Sequence, residues 1–214
     1  FNGLILLSLL LLREPPRSHA RMAAPAPRLA EVCGTLGRTG AYVSYVLSFQ
    51  NNWTNQTVMW TLPIVTKSLY PYLGIVGNSL LLAGGGVTGM ATALFTPRLF
   101  RGVEDRCQIL LSQVLLGGTL IPYMLAYGCQ CCSEPPLWFL AAAYWLYNVP
   151  FLLQMPANNS IYTRLVGQSS QGVWIALLEM SKTFARIIAG YAIGRAYDTL
   201  GPCLLWSLTL GIWA

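Results

Sequence analysis

Ionisable side chains are scarce in this sequence. Asp, Glu, Lys and Arg make up 9% of the 214 residues, where a soluble domain carries about 25%. The one histidine, His19, lies in a proline-rich stretch with no nucleophile or metal-ligand neighbour at a recognisable spacing, so no enzyme active site is expected. The glycine-rich stretch is not followed by G-x-x-x-x-G-K-[ST], which removes a phosphate loop, and no other cofactor motif is present. The six cysteines do not form a zinc pattern. Cys33, Cys107 and Cys203 stand apart, and the C-x-C-C cluster Cys129, Cys131 and Cys132 lacks a His or a second Cys pair. A disulfide in an oxidising lumen or plain thiols account for that cluster. The formal charge of +6 does not imply nucleic acid, because the basic residues are dispersed rather than gathered with aromatics on one polar domain.

What remains is apolar. Hydrophobic residues make up 55% of the chain and the mean hydropathy is +0.52, which predicts an all-α, polytopic transmembrane helix bundle with the lipid bilayer as its first partner. The run Phe1 to Leu12 is too short to span alone and reads as the end of a truncated helix. A signal peptide is the competing reading, but no basic region precedes the run. Residues 13–39 are rich in Pro and Arg and are expected to form a polar connection. The bundle then occupies 40–214, with the last helix also cut.

Within the bundle, spans are expected at about Ala41 to Thr66, Tyr72 to Phe95, Ile109 to Gly128, Leu137 to Ala157 and Gly172 to Tyr197, with a turn at Asp198 to Pro202. The first of these holds two sequons, Asn52-Trp53-Thr54 and Asn55-Gln56-Thr57. Either they form a luminal glycosylated loop or the helix runs through them and their amides line the interior. The second is dense in small residues from Gly74 to Gly89, which suits close helix packing in lipid. Pro150 and Pro156 should kink the fourth, where Gln154 and Asn148 need partners inside the bundle. On alternating sides of these spans, nine of the thirteen basic residues fall on one face and two on the other, which places the first face in the cytoplasm.

The remaining two, Lys182 and Arg186, lie within a span together with Glu179. At i, i+3 and i+7 these three project from nearly one helical face. Ionisable groups at bilayer depth usually line a bundle interior or an aqueous path. An arginine there stays charged and presents a planar fork of donors to an anion, while Glu179 and Lys182 can partly neutralise each other. The competing reading for all three is a structural ion network, with Glu179 and Lys182 snorkelling to the cytoplasmic end.

The stretch SIYTRLVGQSSQGVWIALLEMSKTFARIIAG resembles the end of the tenth helix, the connecting loop and the eleventh helix of the major facilitator superfamily, especially its lysosomal branch linked to neuronal ceroid lipofuscinosis. Tyr162 and Arg164, Gly167, Gln171-Gly172 and Ala185-Arg186-Ile187 carry the resemblance, and Gln56 to Tyr70 resembles the end of the seventh helix. In that register the chain is the C-terminal half of a transporter, with about five full helices between a truncated sixth and a truncated twelfth, and 13–39 joins the two halves. Both sequons then fall inside the seventh helix. The loop residues Arg101, Glu104, Asp105 and Arg106 stand where the superfamily has a charged cytoplasmic signature, with its charges but not its glycine order. Ala189 replaces a proline that the family often has, and Glu179 and Lys182 stand where small or uncharged residues are usual. The resemblance implies alternating-access transport of a small, anionic solute across a lysosomal or other endomembrane, with proton coupling open and the N-terminal half as a further partner. An anion-channel-like pore and a non-transporting scaffold are the alternatives.

Overall fold

The computed structural model describes residues 40–125, 135–167 and 171–213, together with Gly34 and Gly37. The expected helix end at 1–12, nearly all of the 13–39 connection, and the Cys129, Cys131 and Cys132 loop lie outside the described residues, which are all-α with no strand. Five helices follow in order: α1 Tyr42–Leu69, α2 Gly74–Leu99, α3 Asp105–Tyr123, α4 Leu137–Val166 and α5 Gln171–Trp213. A short 3-10 turn, Pro71–Leu73, joins α1 to α2.

Helix α1 runs without a break through QNNWTNQT, as in the second reading of the sequons, with Asn52 buried and Asn55 half-buried. Polar residues persist there because their hydroxyls turn back onto their own helix. Thr54 donates to the Gln50 carbonyl (2.9 Å), Thr57 to Trp53 (3.1 Å) and Thr61 to Thr57 (2.6 Å). Such bonds satisfy a buried hydroxyl without a neighbouring chain. Asn52 is buried, and its side-chain nitrogen is spent on the Ser48 carbonyl at 2.8 Å. Helix α4 is continuous past both Pro150 and Pro156, and it begins one residue after Pro136, whose extended backbone forms the N-cap. The expected turn at Asp198 to Pro202 is narrower in the structure. Helix α5 breaks only at Gly201 (φ +78°), a left-handed conformation that glycine adopts without steric cost, and Pro202 then opens the arm Gly201–Ile212.

Helix α4 is the hub of the packing, in contact with all four others, and α1 additionally lies along α5. The glycines of α2 make one of these contacts close. A Cβ on Gly85 would sit 2.5 Å from the Tyr144 ring, one on Gly84 2.4 Å from the Trp145 indole, and one on Gly89 2.9 Å from Leu152. The indole nitrogen of Trp145 donates to the Leu81 carbonyl at 3.0 Å across the same seam. The small-residue run therefore serves packing against α4.

The interior is layered. One apolar cluster joins Val58, Leu62 and Val65 of α1 to Leu116 and Leu120 of α3, Tyr144 and Tyr147 of α4, and Trp206 of the terminal arm. Others gather Val43, Leu47, Ile109 and Ile161, then Ala41, Tyr162, Trp174 and Leu178. Between these layers, by position along α1, α4 and α5, fall the buried polar residues Ser48, Asn51, Asn52, Gln154, Asn158 and Lys182. The outside is the reverse, with Ile75, Val87, Met90, Leu94, Phe184 and Tyr191 all exposed. The segment Pro71–Leu99, 29 residues at a mean hydropathy of 1.4, is long and apolar enough to cross a membrane.

Gly85→Val tests the seam between α2 and α4. Overpacking against Tyr144 should cost about 1–3 kcal/mol, read as a lowered thermal midpoint of the detergent-solubilised protein. Gly86→Val, where a Cβ meets nothing within 4 Å, should leave that midpoint within about 1 °C, the small effect expected away from packed features.

Candidate functional site

Leu178 to Gly190 on α5 is built mostly of good helix formers, and that regularity carries Glu179, Lys182 and Arg186 onto neighbouring turns. Lys182 is the interior member, with a side chain 3% exposed against 53% for Glu179. Its Nζ donates to Glu179 Oε1 at 2.6 Å and to Asn159 Oδ1 of α4 at 3.1 Å. A buried ammonium without partners is strongly unfavourable, and these two acceptors are what make the burial tolerable. The i, i+3 neutralisation expected from the sequence is thus a direct ion pair. Asn159 as its second acceptor was not visible in the sequence.

Arg186 stands differently. Its side chain reaches the surface, and Nε donates to Asn52 Oδ1 of α1 at 2.9 Å. Because the Asn52 nitrogen is held by Ser48, its oxygen is fixed toward the guanidinium. The two terminal guanidinium nitrogens have no hydrogen-bond partner among the described residues. The neighbouring asparagine on α4, Asn158, faces α1 instead and donates to the Ser44 carbonyl (3.0 Å) and the Ser48 hydroxyl (2.8 Å). Tyr45 and Tyr162 close this end through a hydroxyl–hydroxyl bond of 2.9 Å, with rings edge to face. A groove of about 730 Å³ runs along the outer side, lined by Tyr45, Leu177, Glu179, Met180, Phe184 and Ile187 among others. Glu179 is its one charged lining residue.

The other expected site residues are not gathered here. Gln154 is buried and accepts from Gln113 Nε2 of α3 at 3.0 Å, an amide pair that ties α3 to α4. Asn148 is half-buried and bonds its own helix at the Tyr144 carbonyl, 2.8 Å away. Neither hydrogen-bonds a charge of α5 among the described residues. In the loop before α3 the four expected residues divide. Asp105 pairs with Arg164 at the end of α4 at 3.1 Å and accepts from the Ser160 hydroxyl at 2.7 Å. Arg101 and Glu104 are exposed and Arg106 is half-buried, with no ion pair among the described residues. Of these four, Asp105 is the one ion-paired to the bundle among the described residues, through Arg164. Among the described residues no three His, Cys, Asp or Glu side chains gather as metal ligands.

Asn52 is conspicuous in the sequence as a sequon amide that lines the interior if the helix runs through it, whereas Asn158, Asn159 and Gln113 carry no such mark. Helical spacing supports that reading of Asn52, since Ser44, Ser48, Asn51 and Asn52 recur along α1 and mark one polar face.

The pair Glu179–Lys182 predicts an asymmetry. Glu179→Leu leaves a buried ammonium with Asn159 as its one remaining acceptor, whereas Lys182→Met leaves an exposed carboxylate in solvent. The first should be the less stable by about 1–3 kcal/mol, measured as unfolding midpoints of the two purified variants side by side. No protein-family model, curated protein or solved structure matches this chain, so the site is read from its own geometry.

Proposed function

We propose that the chain is the C-terminal half of a secondary transporter of the major facilitator type, a multi-pass bundle that moves a small anionic solute across an endomembrane, the lysosomal one in the branch it resembles. Support for several spans comes from the inverted distribution of side chains: amides, hydroxyls and an ammonium inside, large apolar groups outside. At about 1.5 Å per residue, α1, α2 and α4 with 28, 26 and 30 residues each exceed a hydrocarbon core roughly 30 Å thick. The polar residues that lower the hydropathy of α1 and α4 are largely those turned inward.

The observation that carries the reading is Arg186. It lies about 21 Å along α5 from Gly172, near the middle of a span, at a rise of roughly 1.5 Å per residue. There it is fixed by one bond through Nε, and both terminal nitrogens remain uncommitted. A permanent cation held in this way, beside an apolar row of Met180, Phe184 and Ile187, suits an anion that arrives with part of its surface apolar. In transporters assembled from two repeats the solute sits between the halves near the midplane, and the exposed face of α5 is the face left for the other half. Alternating access then amounts to opening that face to one side of the membrane at a time. Asp105–Arg164 is the pair that braces the cytoplasmic end of this half.

Arg186→Leu in the intact protein should abolish solute flux while delivery to the membrane and folding are unchanged, measured by uptake into proteoliposomes alongside chromatographic homogeneity. Undiminished flux would remove Arg186 from the site. Saturable uptake with counterflow supports a carrier; large unitary currents instead point to a pore, and no flux of any anion points to a scaffold.

A further inference from the structure

We propose that Trp60, Gln56 and Gly190 set the specificity of the Arg186 site, and that its solute is a 3-aryl-2-hydroxy or 3-aryl-2-oxo carboxylate. The inference rests on the transport reading above and names the class of anion. Two side chains that can only donate fix the amides on this face of α1. Arg186 Nε donates to Asn52 Oδ1 at 2.9 Å, and at the next turn of α1 the indole nitrogen of Trp60 donates to Gln56 Oε1, also at 2.9 Å. With its oxygen taken by the indole, half-buried Gln56 presents its NH2 group, which has no hydrogen-bond partner among the described residues. Trp60 in turn meets α5. A Cβ on Gly190 would touch the indole nitrogen alone, at 3.9 Å, and one on Gly194 would meet nothing within 4 Å. Gly190 lies one turn past Arg186, about 6 Å along the axis at a rise of roughly 1.5 Å per residue. The two glycines thus leave an open floor beside an indole that is 56% exposed.

Charge decides which way the solute lies. An apolar body laid toward the start of α5 would cover the Glu179 carboxylate of the groove, a group costly to desolvate. Toward Gly190 the next charge on α5 is Arg195, which is held on Tyr191 through a 3.1 Å bond to its hydroxyl and a contact with its ring. The ring of the solute therefore lies on the Trp60 side. Three groups then read three parts of one molecule. The carboxylate takes the two uncommitted terminal nitrogens of Arg186 as a fork. An oxygen on the adjacent carbon accepts from Gln56, which stands on α1 between Asn52, the partner of Arg186, and Trp60. The aryl ring packs on the indole over Gly190. A 2-amino acid is refused, because its ammonium would meet the Gln56 NH2 and a permanent cation.

The probes 3-phenyllactate, 3-phenylpropionate and lactate separate these parts, with binding to the intact protein in detergent read by calorimetric titration. The first should bind about tenfold or more tightly than lactate, which lacks the ring, and roughly fivefold more tightly than 3-phenylpropionate, the step expected for one neutral hydrogen bond. Gly190→Val introduces a better helix former into open space, so it should fold as the wild type; it should weaken 3-phenyllactate about tenfold and leave lactate within about twofold. Trp60→Leu should do the same. In Gln56→Leu the two phenyl acids should become equal, and Arg186→Leu should abolish binding of all three. Equal affinity for lactate and 3-phenyllactate, or an equal effect of Gly190→Val on both, overturns the aryl assignment and, where binding still requires Arg186, leaves the anion site standing. A preference for 3-phenyllactate over 3-phenylpropionate that survives in Gln56→Leu overturns the role of Gln56. No binding of any of the three by the folded wild-type protein, with its unfolding midpoint unaltered, overturns both the aryl assignment and the anion site.

Discussion

An ammonium group enclosed by protein must be held by acceptors that the surrounding helices supply, and this requirement organises the structure around Lys182. Its side chain, 3% exposed, takes one acceptor from its own helix and one from α4. Asn159 can serve because its neighbour Asn158 turns the other way, onto α1, and binds Ser44 and Ser48. Ser48 in turn holds Asn52, and Asn52 holds Arg186. Hydrogen bonds, joined through the α4 backbone at the adjacent Asn158 and Asn159, thus run from α5 through α4 and α1 and back to α5. Each link fixes the orientation of the next, so a change at one amide reaches both cations. This is the sense in which the buried polar layer specifies one arrangement of three helices, which apolar contacts alone would fix less sharply.

The layers on either side give that network its setting. Aromatic and aliphatic residues of α1, α3 and α4 pack beyond it toward Tyr70 and Trp206, and Ala41, Trp174 and Leu178 close the other end. Tyr70, at the end of α1, donates its hydroxyl to the Pro135 carbonyl ahead of α4, which ties the chain ends of those two helices together. The glycines of α2 let that helix lie close on α4 while its other side presents Ile75, Val87 and Leu94 outward. In the proposed function this outward side meets acyl chains, and the α1–α5 face with Glu179 and Arg186 meets the other half of the transporter.

Much of this was legible in the sequence, and the limit is physical. Helix positions followed from the length of apolar runs and from proline and glycine, so α1, α2, α3 and α5 start within about five residues of the expected positions and the break at Gly201 falls inside the expected turn, whereas α4 continues past the expected end at Ala157 to Val166. The spacing of Glu179 and Lys182 on one helix was enough to anticipate their pairing, because i, i+3 neighbours meet whatever the rest of the fold does. Partners on other helices were not legible. Nothing in the local sequence distinguishes Asn159, which meets Lys182, from Asn158, which meets α1; the rotation of α4 within the bundle decides it. The same holds for Gln154, whose need for a partner was clear and whose partner, Gln113, depends on how α3 lies on α4. Asp105 and Arg164 were each conspicuous, one in the charged loop and one shortly before Gly167, but their contact is set by the meeting of two helix ends.

In the proposed function the apolar outside of this bundle faces lipid while the stripe of Glu179 and Arg186 faces a hydrated cavity. Nitroxide labels placed singly at Val76, Val87, Leu94, Thr183 and Gly190 in the intact protein, reconstituted into liposomes, report it through collision with oxygen and with a water-soluble nickel chelate. That arrangement gives oxygen-dominated collision for the three α2 labels, deepest at Val87, and nickel-dominated collision at Thr183 and Gly190. Nickel-dominated collision at Val87 would contradict it, because that position would then lie in water and not in a membrane.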